Sequence, residues 1–360
     1  MNHDIAIVGA GIAGASLAAA IGSRARVLLL EGEDQPGYHA TGRSAAFWSE
    51  SYGGPAIQPL TTASHAGLAP FLAPLGSLHI GRAPDEARAL VFLNEFAETG
   101  VELTRVDPRE RITGLRDDWS VGVWEPSCAY IDVAALHADA LVRARRTGAT
   151  LVTGARLTGA RHDRGWQLET TAGTFAASIL VNAAGAWADV VGRLAGIAPL
   201  GIAAYRRTMV QLRTDPVVPA GTPHVAALDG SFYFKPEGQG LWLSPHDEIA
   251  TDPCDAQAEE FDVALAIDRL EHAVDWRVAA VERRWAGLRS FAPDRLPVYG
   301  FAPDTPAFFW CAGQGGFGIQ TAPAAAALAA ALLLDDDTPF GLDPARYAVS
   351  RFTNRLSPRT

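Results

Sequence analysis

Ile5-Ala6-Ile7-Val8-Gly9-Ala10-Gly11-Ile12-Ala13-Gly14 stands almost at the start of the chain, and its reading orders the rest. Residues 5–8 are an apolar run, the three glycines follow a GxGxxG spacing, and residues 15–21 have helical character. A second apolar run, 26–30, closes on Glu31, 22 positions beyond Gly9. Strand, tight turn, helix, strand and acidic residue in that order predict a dinucleotide-binding βαβ unit. Gly9 permits the turn, Gly11 lets the backbone approach a pyrophosphate, and Gly14 lets helix pack on strand. Ile12 and Ala13 open the helix, whose free N–H groups and partial positive charge favour phosphates. Glu31 is placed to bond a ribose hydroxyl.

Outward from this unit, Asp132 is a helix N-cap, with the helix running to about Arg146 and ended by Gly148. Residues 151–153 are a strand; 166–170 and 174–177 form a hairpin that leads into an apolar strand, 179–182. From about Gly201 to Tyr299 the pattern changes to short alternating runs (208–212, 231–234 and 240–243) broken by Pro and Gly, which predicts an antiparallel sheet. Residues 308–311 are a buried strand, followed by a glycine turn and an Ala/Leu-rich helix, 321–334. The expected fold class is therefore α/β: a Rossmann-like nucleotide-binding domain from 1–46, 132–200 and 300–360, interleaved with an antiparallel-sheet substrate domain from 47–131 and 201–299.

Gly313-Gln314-Gly315-Gly316-Phe317-Gly318 repeats the GxGxxG string. No second strand ending in an acidic residue follows at the required distance, so it is a glycine loop lying against a ligand and not a second nucleotide site. Without a second nucleotide domain or a CxxxxC pair, the electrons come from an organic substrate.

Composition narrows the partners. The chain has 360 residues, 48% hydrophobic and 19% charged, which is the balance of a folded two-domain enzyme. Its net charge of −10, with no basic cluster, argues against nucleic acid. Cys128, Cys254 and Cys311 lie far apart, which fits a reducing cytoplasm and no disulfide framework. No histidine pair has metal-ligand spacing, and no metal is expected. The 321–334 helix is too short to span a bilayer and ends in aspartates, so no membrane span is expected.

Gly37-Tyr38-His39-Ala40-Thr41-Gly42-Arg43-Ser44-Ala45-Ala46 resembles the second FAD-binding segment of the D-amino-acid oxidase superfamily. Val181-Asn182-Ala183-Ala184-Gly185-Ala186-Trp187-Ala188-Asp189 is similar to its later flavin loop. Arg289-Ser290-Phe291-Ala292-Pro293-Asp294-Arg295-Leu296-Pro297 resembles its substrate-arginine strand, and Gln314–Gln320 the loop beside the flavin ring. Order and spacing are most similar to the D-arginine dehydrogenase-like, broad-specificity D-amino acid dehydrogenases, from Asp4 to about Thr321.

The resemblance implies non-covalent FAD, held by the glycine loop, Glu31 and Gly42, Arg43, Ser44, Ala45 and Ala46. Ala183, Ala184, Gly185 and Trp187 join from the second loop, and Gly315, Gly318, Ile319, Gln320 and Thr321 from the third. It also implies hydride transfer from the substrate Cα to flavin N5, the imino acid then hydrolysing to a 2-oxo acid and ammonia. Arg289 is the expected carboxylate ligand, since a planar fork suits bidentate binding. Arg207 is a second, though its neighbour Arg206 exchanges for it on sequence grounds. Tyr233 matches a carboxylate-bonding tyrosine, although by pattern alone a strand tyrosine is more often core or cross-strand packing. Tyr52, between glycines and a proline, matches a lid tyrosine. Gly316 and Gln320 match positions beside the amine and flavin.

Two positions depart from the family. Phe47 and Ser77 stand where cation-preferring members carry a histidine and a glutamate, which shifts the expected substrate toward D-amino acids with neutral or apolar side chains. Glu50 is an alternative anchor for a cation. Sarcosine-type oxidase relatives carry a lysine over the flavin where this chain reads Gly240-Leu241-Trp242-Leu243, so a quinone- or dye-like acceptor is expected in place of oxygen. The competing readings are an amine or N-methylglycine-type oxidase, a 2-hydroxy-acid dehydrogenase, and a flavin subunit of an electron-transfer complex.

Overall fold

The computed structural model describes residues 3–355. Strand His3–Val8 pairs in parallel with Val27–Leu30 on one side and Gly173–Asn182 on the other. Thr150–Val152 extends the sheet beyond Val27–Leu30, and Thr305–Ala312 pairs in parallel with Gly173–Asn182. These strands are apolar without alternation because both faces are buried. Ile5, Ile7, Val27 and Leu29 pack toward helices Ile12–Ile21 and Ala322–Leu334, while Ala6, Val8, Leu28 and Leu180 pack on the other side with Phe308 and Trp310. Alanines along both helices let their backbones approach closely. At about 1.5 Å per residue, the 13 residues of Ala322–Leu334 fall well short of a bilayer. Among the described residues no helix is long and apolar enough to cross a membrane.

Asp132 caps helix Val133–Arg146 by accepting from the Ala135 N–H at 2.9 Å, and Gly148 follows with φ +97°. The hairpin arm and apolar strand expected at 174–177 and 179–182 are one continuous strand, Gly173–Asn182. Ser178 joins them because a single residue between two extended runs needs no turn.

The second sheet has ten strands. In order they are Gln314–Gly315, Arg277–Phe291, Ala203–Asp215, Gly240–Ser244, Tyr233–Glu237, His224–Ala227, Ser77–Gly81, Val121–Glu125 and Thr104–Val106, with Ile249–Ala250 beside Ala203–Asp215. The expectation of an antiparallel sheet needs one correction: His224–Ala227 runs parallel to Ser77–Gly81. The expected 208–212 run is the middle of a 13-residue strand, whose partner Arg277–Phe291 has 15 residues. Alternation sorts their side chains into two environments. Val210, Leu212, Phe234, Leu241 and Leu243 pack against Val263, Ala266 and Leu270 of helix Glu260–Ala273. The other face looks toward the glycine loops and builds the site. A three-stranded sheet, Phe47–Trp48, Ala129–Ile131 and Leu72–Pro74, lies beside it.

Candidate active site

Gly9 has φ +103°, and a Cβ there would stand 2.4 Å from the Ala183 carbonyl oxygen, so only glycine fits where the first and later loops meet. The Glu31 carboxylate accepts from the Ala10 N–H at 2.9 Å and the Glu33 N–H at 3.0 Å. From this loop a single cavity runs past Glu31, Arg43, Ser44 and Ala45 to Arg207, Tyr233, Arg289 and Gly316. Gly11, Ile12, Ala13, Ala183, Ala184, Gly185 and Trp187 line its nucleotide half, and Gly315, Gly318 and Ile319 its far half. Arg43 reaches the carbonyls of Ala256 at 2.9 Å and Ala286 at 3.1 Å and pairs with Asp255, tying this segment to the second sheet.

Several expected cofactor residues are not on that wall. Gly14 packs under Gly9, Gly42 donates its N–H to the Gly37 carbonyl at 2.8 Å, and Ala46 donates to the Ser44 hydroxyl at 3.1 Å. Thr321 bonds the Phe317 carbonyl at 2.8 Å as its helix begins. These four shape the loops that form the cavity.

At the far end, strand register decides which arginine faces inward. Tyr205 pairs with Arg289 and Arg207 with Gly287, so Arg207 and Arg289 lie on one face. Arg206 points the other way, to Asp262 at 2.7 Å and to Glu259. The open choice between the two neighbours is thus resolved by alternation: Arg207 lines the cavity. Its Nε donates to the Asp247 carbonyl at 2.6 Å, and its buried Nη1 has no partner within the protein. Burial, followed by the charge of Arg289, pushes the Arg207 guanidinium down from its ordinary value; an arginine starts high enough to remain charged. The Arg289 Nη2 lies 3.4 Å from the Tyr233 hydroxyl, which also contacts the Met209 sulfur at 3.2 Å.

Tyr52 stands over this group, its ring centroid 5.9 Å from the Arg289 guanidinium, between the rings of Phe47 at 5.3 Å and Phe317 at 5.1 Å. A Cβ on Gly316 would meet the Tyr52 hydroxyl at 2.3 Å, so residue 316 must be glycine for that ring to reach the site. Gln320 is buried and bonds the Tyr52 carbonyl and the Thr61 hydroxyl, each at 3.0 Å. It therefore anchors the Tyr52 loop and is not on the cavity wall.

Ser77 is fully buried, and its hydroxyl lies 2.9 Å from Nδ1 of His224. That imidazole packs against Phe47 with centroids 4.1 Å apart and ring planes tilted by 35°. Ser77 thus sits behind Phe47 and does not line the cavity. The Glu50 carboxylate accepts from the Thr62 hydroxyl at 2.6 Å, turned to helix Gln58–Leu68.

On the cavity wall, Met209 and Gly287 belong to no quoted motif, and Ser290 and Gln314 lie inside motifs without an assigned role. Met209 and Gly287 were accessible from alternation, lying two residues from Arg207 and Arg289. His224 and Glu125 carried no local signal, because only the ten-stranded sheet brings them near residues 47–52, and His246 none because only the fold sets it against Tyr233.

The residues fit FAD: a glycine cradle and an acidic residue at a strand end open into a cavity whose far end presents two arginines. A family model described as "DAO: FAD dependent oxidoreductase" matches residues 4–332. The chain belongs to this family of FAD-dependent oxidoreductases. It is 26% identical to a glycine oxidase of Geobacillus kaustophilus, across 99% of this chain and 98% of that one. It is 29% identical to the mitochondrial dimethylglycine dehydrogenase of Mus musculus over 63% of this chain, which corresponds to only 29% of that enzyme. A crystal structure of glycine oxidase from Geobacillus kaustophilus superposes with a TM-score of 0.83 at 25% identity, covering 97% and 99% of the two chains. L-proline dehydrogenase from P. horikoshii has the same fold, with a TM-score of 0.83 at 21% identity over 96% and 98%.

Proposed function

We propose that this flavoenzyme oxidises an α-amino acid with a neutral or apolar side chain, of D configuration, to an imino acid that water converts to a 2-oxo acid and ammonia. The observation that carries the reading is the group Arg289, Arg207 and Tyr233 at one end of a cavity whose other end is the glycine cradle. The D configuration is supported by the motif resemblance alone. Segments 1–46, 132–200 and 300–360 hold FAD in this reading, and 47–131 and 201–299 hold the substrate.

FAD supplies the two-electron acceptor for the substrate hydride. The protein's part is position and charge. Arg289 grips the carboxylate as a fork, the Tyr233 and Tyr52 hydroxyls add donors, and Arg207 offers its unpartnered Nη1. Fixing the carboxylate fixes Cα, which is the larger part of catalysis by orientation. Two neighbouring guanidinium charges also disfavour an ammonium group and so favour the neutral amine that the oxidation requires. Electrons leave to a quinone- or dye-like acceptor. Three free cysteines, two of them buried, suit a cytoplasmic setting.

A second reading, oxidation of glycine or an N-methylglycine, draws support from the tight aromatic group of Phe47, Tyr52 and His224, which limits room beside Phe47. Anaerobic bleaching of the flavin by D- and L-amino acids, glycine, sarcosine and 2-hydroxy acids separates these readings. D-Amino acids should bleach it fastest. Bleaching by glycine or sarcosine alone would move the assignment to the second reading, and bleaching by none would leave an electron-transfer subunit.

A further inference from the structure

Glu125 ends strand Val121–Glu125, directly opposite Ser77 in the ladder, and none of it reaches solvent. A buried carboxylate is strongly disfavoured unless the fold supplies donors. Here the donors converge from one short segment. Oε1 accepts from the Glu50 N–H at 2.7 Å and the Ser127 hydroxyl at 3.3 Å; Oε2 accepts from the Ser49 hydroxyl at 2.9 Å and the Ser51 hydroxyl at 2.5 Å. His79 Nε2 stands 3.9 Å away. Three consecutive residues, 49–51, thus hang on one side chain. A carboxylate offers about four acceptor positions, and these four donors take them, so nothing remains for a cationic substrate side chain.

What the segment carries gives the arrangement its meaning. Phe47 precedes it and Tyr52 follows it; Tyr52 stands over Arg289 and Phe47 packs on Tyr52 and Tyr233, one layer behind the residues that line the cavity. Gln320 grips the same segment from the other side, accepting from the Ser49 N–H at 3.3 Å and donating to the Tyr52 carbonyl at 3.0 Å. The two buried polar side chains act as a clamp, and the clamped residue is the tyrosine over the carboxylate site.

We infer that Glu125 is a positioning residue for substrate binding, holding residues 49–51 so that Tyr52 stands over Arg289 and Gly316. It touches neither substrate nor cofactor and acts through Tyr52. The inference rests on the carboxylate-binding role proposed for Arg289.

The test uses FAD-loaded enzyme and, as probe, benzoate, whose Kd is read from the shift it causes in flavin absorbance. Glu125→Gln and, with Glu125 intact, the pair Ser49→Ala/Ser51→Ala should each weaken benzoate binding and raise the substrate KM about tenfold. FAD content should stay at wild type and kcat should change little. In a Tyr52→Ala background the same changes should have almost no further effect, because the residue they position is gone. The serine pair keeps the test decisive should Glu125→Gln fail to fold. Wild-type Kd in the serine variant, or full additivity with Tyr52→Ala, overturns the inference. If benzoate binding survives those variants but disappears in Arg289→Leu, the inference alone falls. If benzoate binds the wild type and Arg289→Leu equally, the carboxylate reading falls and takes the inference with it.

Discussion

Arg207 and Arg289 project from neighbouring antiparallel strands onto the same face, offset by two residues because Arg207 pairs with Gly287 and Arg289 with Tyr205. No carboxylate of the described residues bonds Arg289. Replacing Arg289 with leucine should therefore weaken every amino acid substrate, whatever its side chain. Removing one partner of a buried charge pair costs about 2–5 kcal/mol, which is a loss of roughly thirtyfold or more in kcat/KM. FAD content should be unchanged. Normal kcat/KM in this variant would remove Arg289 from the site.

Arg206 supplies the contrast. Its guanidinium bridges Glu259 and Asp262 on the opposite face. Arg206→Leu strands the buried Asp262 carboxylate, so stability should fall by about 3–5 kcal/mol while the substrate KM of the folded fraction holds. Thermal unfolding beside steady-state kinetics checks this, and a raised KM without loss of Tm would exchange the roles of the two arginines.

FAD should be released by acid precipitation, leaving its yellow colour in the supernatant. Attachment through a cysteine needs its sulfur on the cavity wall, and the stretch at Arg289 reads Ser290-Phe291-Ala292. Cys128 and Cys311 are buried, Cys254 is exposed, and none of them lines the cavity. Burial pushes the Cys311 thiol up to about 12, far from a reactive thiolate. Colour that stays in the washed pellet would contradict this.

The nucleotide half was legible because each of its rules is local. Gly9, Gly11, Gly14 and Glu31 need only a strand, a turn and a helix within one βαβ unit, and the Asp132 cap needs only its own helix. The second sheet is harder. Ser77, His224, Tyr233 and Arg207 share one face only after strands far apart in sequence pair up, and one of those pairings is parallel. Hence Tyr52, Tyr233 and Arg289 were singled out through motifs, while the direction of Arg207, the retreat of Ser77 behind Phe47 and the partners of Glu125 emerge only from the folded sheet. Trp242 shows the same limit. The run 240–243 lacks a lysine, yet the adjoining strand puts Lys235 opposite Trp242, its ammonium 4.5 Å from the rings of both Trp242 and Tyr130.

Oxygen should nevertheless be a poor acceptor. The Lys235 ammonium pairs with Glu237 at 2.5 Å, so its charge is largely neutralised where it stands. Favouring electron transfer to oxygen by electrostatics needs an uncompensated cation near the developing anion. Turnover with a quinone or dye should greatly exceed peroxide formation, and comparable rates would make the enzyme an oxidase.

Stability should fall on mild acidification. Burial pushes the His246 imidazole down to about 4, helped by the charges of Arg207 and Arg289, and burial pushes His224 well below its ordinary value. With folded values depressed, the unfolded chain binds more protons between about 6.5 and 4, so stability rises with pH through that window and is lost as pH drops. Tm measured from pH 7 to 5 should decline, and less steeply in His224→Asn/His246→Asn. An equal slope in that variant would assign the decline to other groups.

D-Phenylalanine, D-leucine and D-methionine should outperform D-arginine and D-lysine in kcat/KM. Phe47 packs against Tyr52, Tyr233 and His224, so this flank of the site is aromatic. An apolar side chain buried against it gains about 25 cal/mol per Å², whereas a guanidinium there loses hydration without an anion in return. Each carboxylate near enough to help is already engaged, since Glu50 bonds Thr62 and Glu125 holds residues 49–51. Long basic side chains retain a route by snorkelling toward solvent, so weak activity on them fits the argument. Because Ser77 is sealed behind Phe47 and bonded to His224, Ser77→Glu should destabilise the protein more than it changes the ranking. Phe47→His is the sharper probe, since it alters the ring at that flank and should narrow the gap between D-leucine and D-arginine. A wild-type ranking led by D-arginine would overturn the argument, and an unchanged ranking in Phe47→His would place the side chain against another wall.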